Sequence, residues 1–396
     1  MSRPVFVSQM SGDAGGPPTW LDEHELQTIV EECNPKAKGI VSIATRSELY
    51  SQSALRVQIN VKLAENSSQA LNYLVKSNEQ RTVISGTSKF PRPYNFELEK
   101  HMHNEVLPAL VELYRNVGKH ISFSPRNHSR KGSKLLFLEY LQIKGCRTVN
   151  QPKGLDQSAM EAILSKLAAY HAATASYLQL MPTHLKDQIR RDFRNETDAR
   201  MAEHKSYLRR KFSESLRSHC LYEFEDKVKS YLKALPENIP TPDLKRSFNV
   251  ITVGACWPNN IIGNFDAFGD IKDVVFIDFG SASYGSVAAD LFQILLTAPA
   301  EKTERFDALL RHYHDELINN LQLLKFKGNL PTLTDLQLNL LQYGHKGFQV
   351  VMEILPIVLE DFESPDIEDP FKTPKYSEEI KILLPWMENR AYFEVE

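Results

Sequence analysis

The first part of the chain alternates apolar and polar residues, a pattern typical of half-buried strands. Single polar residues separate Leu55, Val57, Ile59, Val61 and Leu63, and side chains two positions apart share one face of a strand. The same reading predicts a short amphipathic helix over residues 20–32, further strands over 71–76, 120–123 and 135–141, and a long helix over 96–114. This order predicts a small antiparallel sheet carrying one helix.

Beyond residue 143 the apolar residues recur at helical spacing. Helices are predicted over residues 160–177, 186–211, 214–235, 304–324, 333–360 and 377–389. Two short apolar strands, 248–253 and 274–278, interrupt them. The Gly-, Pro- and Ser-rich residues 1–19 are predicted to be disordered. We therefore expect an α+β protein with a smaller lobe at 20–142 and a larger, mostly helical lobe at 143–396.

Composition narrows the class of protein without naming an activity. A net charge of −3, with 24% charged and 42% hydrophobic residues, predicts a soluble two-lobed protein with no nucleic-acid or membrane partner. The four cysteines show no spacing that suits a metal or a disulfide framework. With no signal-like or membrane-spanning run, a cytoplasmic location is expected.

The most informative local pattern is an apolar strand that ends in an acid and a turn, Ile277-Asp278-Phe279-Gly280. A carboxylate at a strand end is well placed to hold Mg²⁺ against a phosphate. Alone, the pattern is equally consistent with a turn aspartate that caps its own backbone.

Other motifs stand in a fixed order around it. They read YLVK (73–76), FELE (96–99), LEYL (138–141), LAAYHAAT (167–174), VGACWPNN (253–260) and YGSVAADL (284–291). Together with DFG at 278–280, they resemble the insect ecdysteroid kinase-like family, in the aminoglycoside- and choline-kinase branch of the protein-kinase superfamily. The resemblance runs from about residue 50 to residue 291 and implies a two-lobed protein-kinase-like fold.

The resemblance also implies a ligand set. Lys76 would grip nucleotide phosphates and pair with Glu99, while the hinge residues Glu139 and Leu141 would receive the adenine of ATP. Asn260 and Asp278 would bind Mg²⁺ within the loops at 253–280. By family analogy the acceptor is a small hydroxylated ligand, such as a steroid or a xenobiotic. The sequence predicts no oligomeric state.

The sequence departs from the family pattern at two places. Ala255 occupies the position of the family's catalytic aspartate, and loss of such a base typically costs about 10²- to 10⁴-fold in rate. No glycine lies between Gly39 and Gly86, so residues 45–53 must cover the phosphates with side chains, and Glu48 could repel them. We expect weak or absent activity.

Four neighbouring residues have structural and functional interpretations. Cys256 is either a substitute base or a packing residue, and packing is favoured. His171 on an apolar helix face is interpreted as a core histidine. By resemblance, Asp290 supports the backbone of the catalytic-type loop and Trp257 packs beneath it.

Three hypotheses follow from these residues. The chain is a small-molecule O-phosphotransferase with ATP between its lobes, a pseudokinase that binds nucleotide or ligand as a scaffold, or an unrelated helical interaction protein. The order of the motifs argues against the third.

Overall fold

The computed structural model describes residues 5–6, 20–21, 23–47, 54–63, 67–78, 95–130, 132–181, 199–234, 248–359 and 369–393. They group into two compact units. The first is drawn from Met1–Pro91, Asn95–Pro108 and Ser124–Cys146, and the second from Arg92–Tyr94, Ala109–Phe123 and Arg147–Glu396. The lobe bounds at 20–142 and 143–396 stay a prediction.

The first unit is built on a five-stranded sheet. Its elements are β1 (Val5–Phe6), α1 (Glu23–Cys33), β2 (Gly39–Ser47), β3 (Ala54–Lys62), β4 (Ser68–Ser77), α2 (Phe96–His101) and β5 (Leu135–Glu139). The strands follow sequence order, and all neighbouring pairs are antiparallel except β1 with β2. The predicted small antiparallel sheet is confirmed.

Alternation along β3 determines which face of the sheet is buried. Leu55, Val57, Ile59 and Val61 are at most 3% exposed and pack with the apolar side of α1, including Leu26, Ile29 and Val30. The polar residues between them face the other side. One face of the sheet is therefore committed to the core, and the other carries Lys76.

Three predictions for this part of the chain need correction. Residues 120–123 form no strand: Phe123 packs on Tyr114 and Tyr170, and its carbonyl oxygen accepts one backbone hydrogen bond from Phe276 N at 2.9 Å. Val5 and Phe6, within the segment predicted to be disordered, pair with the otherwise open edge of β2. Residues 45–47 belong to β2 rather than to a loop, while Glu48 lies outside the described residues.

The long helix predicted over 96–114 is present with a change of pitch. Asn95 caps α2 by accepting a hydrogen bond from Leu98 N. A π-helical turn, Met102–Val106, then joins α2 to α3 (Leu107–Arg115).

The second unit is mostly helical, as predicted. Its helices are α4 (Gln157–Leu180), α5 (Ala199–Ser218), α6 (Tyr222–Ala234), α7 (Ala288–Thr297), α8 (Lys302–Leu323), α9 (Leu333–Gln342), α10 (Gly344–Gln349), α11 (Leu355–Val358) and α12 (Pro374–Asn389). Two small sheets carry the loops of interest. One contains β6 (Arg147–Thr148), β8 (Ile261–Phe265) and β9 (Ile271–Phe276), and the other contains β7 (Asn249–Ile251) and β10 (Tyr284–Ser286).

Helix ends differ from prediction where the backbone takes an unusual conformation. α5 ends at Ser218, and Cys220, two residues later, has a φ of +60°. The helix predicted over 333–360 is split at Tyr343, whose backbone leaves the helical region with φ −101° and ψ 19°, and again near Pro356, which cannot donate a backbone hydrogen bond. A π-helical turn, Val350–Ile354, precedes α11.

Two further observations bear on the sequence reading. All four cysteines are free thiols. Among the described residues, no helix combines the length and apolar character needed to cross a membrane.

Candidate functional site

In the first unit the structure pairs Lys76 with Glu99, as the sequence predicted. Lys76 Nζ lies 2.7 Å and 3.0 Å from the two carboxylate oxygens. The side chains are 2% and 0% exposed. A lysine is seldom buried this deeply unless it is paired. The pair fixes one ammonium group on the sheet face opposite the apolar core.

His103 completes the surroundings of this pair and was not singled out from the sequence. It follows Glu99 by four residues, so both lie on one side of the helix, and its Nε2 lies 3.9 Å from Glu99 Oε1. Burial, followed by the nearby Lys76 charge, lowers the pKa of His103 to about 3. The imidazole is therefore neutral at physiological pH and adds no second positive charge. Helical spacing from Glu99 could have identified it.

The hinge residues end the last strand of the same sheet. Glu139 is the final residue of β5, and Leu141 begins a 3₁₀ turn, Leu141–Lys144. The Glu139 carboxylate is engaged by Lys144, and its backbone N–H donates to Arg126 O at 2.9 Å. Contacts to the adenine ring of a nucleotide would therefore come from the Glu139 carbonyl and the Leu141 backbone.

In the second unit, two side chains of α7 hold the backbone of the loop that starts at Val253. Asp290 accepts hydrogen bonds from Val253 N at 2.7 Å and Gly254 N at 3.0 Å. Gln293 accepts from Cys256 N at 2.6 Å and donates to Gly254 O at 3.2 Å. Four bonds thus fix the backbone on both sides of Ala255.

Gln293 is a second residue that the sequence reasoning missed. It lies three positions after Asp290, so a helix that begins near residue 288 turns both side chains toward the same loop. Asp290 itself supports the backbone of this loop, as the resemblance implied. It also contacts His171 Nε2 at 3.0 Å, and His171 Nδ1 lies 2.7 Å from the Tyr313 hydroxyl. His171 is fully buried, as the core interpretation predicted.

Gly254 is required by the path of this loop. Its φ is +83°, and a Cβ there would lie 2.0 Å from Ser281 O. No side chain fits at that distance. The loop is therefore pressed against the turn that follows Asp278.

Ala255, at the family's aspartate position, is buried among apolar groups. It is 1% exposed and packs with Trp257 and Val358, with Ile354 beside them. Cys256 is fully buried, and burial raises the pKa of its thiol well above the ordinary value. It stays protonated, which argues against a role as substitute base.

Asn260 and Asp278 lie at neighbouring strand ends. The Ile277 N–H donates to Asn260 O at 2.9 Å, and Ile261 pairs with Phe276. Asn260 Nδ2 donates to Ala255 O at 3.2 Å, which leaves its Oδ1 as the atom suited to a cation. Asp278 adopts a left-handed conformation with φ +69°, a strained geometry that is frequent at functional sites.

This donor set fits Mg²⁺. One carboxylate and one amide oxygen are hard ligands, and Mg²⁺ usually takes the rest from water and phosphate. Within the described ranges, no group of three or more His, Cys, Asp or Glu residues is placed to hold a metal. A cation at Asp278 would therefore depend on the phosphate groups of a nucleotide.

These features define a class of protein. A sheet bearing a buried lysine–glutamate pair, and a loop and strand end bearing an amide and an acid, belong to a kinase-like phosphotransferase fold. The model of the ecdysteroid kinase-like family matches residues 46–326. The chain belongs to that family, because the match covers more than half of its length.

Solved structures give weaker likenesses. A Plasmodium vivax ethanolamine kinase is 12% identical, with a TM-score of 0.37, and the match covers 88% of this chain and 84% of that one. A choline/ethanolamine kinase family protein from Mesorhizobium loti is 11% identical, with a TM-score of 0.35, and the match covers 92% of this chain and 100% of that one. Comparison with curated proteins gives no match.

Proposed function

We propose that this family member binds a magnesium–nucleotide, such as Mg²⁺–ATP, and transfers its phosphate slowly or not at all. In this proposal Lys76 contacts phosphate oxygens, while Asn260 and Asp278 bind Mg²⁺. The backbone of Glu139 and Leu141 contacts the adenine ring. The observation that carries the proposal is the buried Lys76–Glu99 pair. A positioned ammonium of this kind is the residue with which kinases hold nucleotide phosphates.

The low activity follows from Ala255. A methyl group cannot accept the proton of an acceptor hydroxyl, and the neighbouring Cys256 thiol stays protonated. Without the base the barrier rises by roughly 3 to 5.5 kcal/mol, at about 1.4 kcal/mol per tenfold loss of rate. The acceptor expected from the resemblance is a small hydroxylated molecule such as a steroid or a xenobiotic.

A pseudokinase is the second candidate, and the surroundings of Ala255 favour it. The methyl group packs with Trp257 and Val358, so position 255 is part of an apolar cluster rather than a vacant polar site. In this form of the proposal the protein keeps nucleotide or ligand binding and acts as a binding or scaffold protein.

Thermal unfolding and ATP turnover test these proposals together. At about 100 times the dissociation constant, Mg²⁺–ATP should stabilise the wild type by about 2.7 kcal/mol. Asp278→Asn should lose most of this effect. The matched control is Asp270→Asn, an exposed acid in the β8–β9 hairpin, which should keep it.

The outcomes separate the candidates. Stabilisation without measurable turnover supports a binding protein, and slow turnover that rises in Ala255→Asp supports a weak enzyme. Absence of any stabilisation by Mg²⁺–ATP contradicts nucleotide binding. Rapid wild-type turnover that disappears in Asp278→Asn contradicts the low activity proposed from Ala255.

A further inference from the structure

Two arginines lie directly opposite each other in the first unit. Arg46 on β2 pairs with Arg56 on β3, and residues paired in this way have Cβ atoms about 4.5–5.5 Å apart. Like charges so placed destabilise a sheet. Among the residues that the structure describes, neither arginine contacts a carboxylate. Within that part of the chain, the sheet therefore contains an unfavourable charge pair that no acid compensates.

The two arginines share the sheet face that carries Lys76. The register pairs Ala54 with Lys76 and Arg56 with Leu74, and side chains two residues apart on a strand point the same way. Diagonal neighbours on such a face are about 7–8 Å apart, within reach of long side chains. Because Glu99 neutralises Lys76, the positive charge that no described acid compensates lies on the two guanidinium groups.

The guanidinium of Arg56 is held in a defined direction. Its Nη2 donates to Asn72 Oδ1 at 3.2 Å, and its central carbon, Cζ, lies 4.8 Å from the centre of the Tyr140 ring. A guanidinium has five N–H donors in a rigid fork, and this amide contact uses one nitrogen. Donors therefore remain for a second acceptor, and the orientation is prepared in advance.

The sequence between Arg46 and Arg56 lacks the residue type expected there. No glycine lies between Gly39 and Gly86, and glycine is the residue type that lets backbone N–H groups approach a phosphate closely. We propose that Arg46 and Arg56 form an anion-binding pair that takes over these contacts and binds the phosphate tail of a nucleoside triphosphate. This inference rests on the proposed nucleotide binding. Guanidinium forks match phosphate oxygens in pairs.

The test measures binding of inorganic triphosphate and of Mg²⁺–ATP by calorimetry. The variants are Arg46→Gln, Arg56→Gln and the double substitution. The matched control is Lys62→Gln, an exposed cation on the same face of β3, six residues or roughly 20 Å from Arg56. Loss of a charge-assisted contact predicts at least about tenfold weaker binding of both ligands to the double variant. The control should bind as the wild type does.

Each outcome decides a point. Unchanged affinity of the double variant, or an equal loss in Lys62→Gln, overturns the arginine pair even where Mg²⁺–ATP binds the wild type. Binding of triphosphate but not of Mg²⁺–ATP to the wild type, lost in the double variant, supports the pair and overturns the nucleotide proposal. Should the double variant fail to fold, exposed Arg46→Gln decides alone, and unchanged triphosphate affinity there overturns the inference.

Discussion

At the residue scale, the Lys76–Glu99 pair matters for its burial as much as for its charge. Two ions taken out of water lose hydration that their mutual attraction only partly returns, so a buried pair is weak evidence of stability. Its burial is better explained by a need to hold the ammonium at one place. The stability cost and the functional role can be separated by mutation.

We predict that removing one partner of this pair is costly and that removing both is not. Lys76→Met leaves the Glu99 carboxylate buried without its cation and should lower the free energy of unfolding by about 3–5 kcal/mol. The double variant Lys76→Met/Glu99→Leu should recover most of that loss. Urea unfolding of the three proteins measures it.

The exposed pair Arg115–Glu112, with side chains 60% and 49% exposed, supplies the control. Glu112→Gln should change the free energy of unfolding by less than about 1 kcal/mol, because water screens that pair. If Lys76→Met and the double variant were equally destabilised, the loss would reside in packing rather than in an uncompensated charge.

Individual residues were predictable where a motif specified them. Lys76 and Glu99 are 23 positions apart, so no local spacing connects them, and their pairing came from the resemblance. His103 and Gln293 belong to no motif, although each is one helical turn from a residue that does. Arg46 and Arg56 could not be paired from the sequence, because the register of β2 on β3 had to be known.

At the element scale, the loop 253–260 lies between α7 and the segment that ends in α11. Asp290 and Gln293 fix its backbone, while Ile354 and Val358 surround the Ala255 methyl group. The backbone is thus held by polar groups and the side chain at position 255 by apolar ones. These two sets of contacts respond differently to substitution.

Ala255→Asp is therefore predicted to be destabilising as well as informative about activity. A carboxylate among Trp257, Ile354 and Val358 loses hydration without gaining a partner, which should lower the free energy of unfolding by several kcal/mol. Denaturant titration of the variant measures the effect. Ala255→Ser adds only a small, uncharged hydroxyl group and should lower the free energy of unfolding by about 1–3 kcal/mol. An Asp variant as stable as the wild type would contradict the apolar surroundings described for this position.

Elements were predicted well where periodicity alone decides them. The alternation of β3 is present, and so are the helices predicted over 160–177, 304–324 and 377–389, whereas residues 186–198 of another predicted helix lie outside the described residues. The errors occur where tertiary contacts decide the structure instead of local pattern. Phe123 is held by aromatic packing and not by pairing with a strand. The chain turns after α5 at Cys220, which has a positive φ although it is not a glycine. β8, short and preceded by two amides, carried too weak a pattern to be separated from the loop.

At the scale of the whole molecule, each unit contains a histidine that acid should charge: His103 is buried and His345 is partly buried. Burial lowers the pKa of His103 to about 3 and that of His345 to about 4, against 6.5 in an unfolded chain. The unfolded chain therefore takes up protons first as the pH falls. The stability linked to these groups is complete above about pH 6.5 and is lost between there and about pH 3–4.

We predict a pH-dependent free energy of unfolding with a slope of up to about 1.4 kcal/mol per pH unit for each histidine. His103→Leu and His345→Leu should each flatten the decline between pH 6.5 and pH 5. Urea unfolding at several pH values measures the slope, and exposed His120→Gln serves as the control. Slopes identical to that of the wild type would contradict the inferred neutral, buried state.

The general architecture was more predictable than the chemistry. Strand alternation, helical periodicity and motif order were enough for an α+β kinase-like chain. Whether position 255 faces solvent or apolar side chains depends on residues about a hundred positions later, and no pattern in a single sequence encodes that proximity.

The contact between Ala255 and the 350–358 segment has an evolutionary consequence under the proposed assignment. Two of the four alanine codons become aspartate codons through one base change, so the genetic route to the family's acid can be short. The physical route is longer, because Ile354 and Val358 would penalise the returning charge until they too were replaced. Apolar packing at this position therefore makes the return of an acid harder than the loss of one.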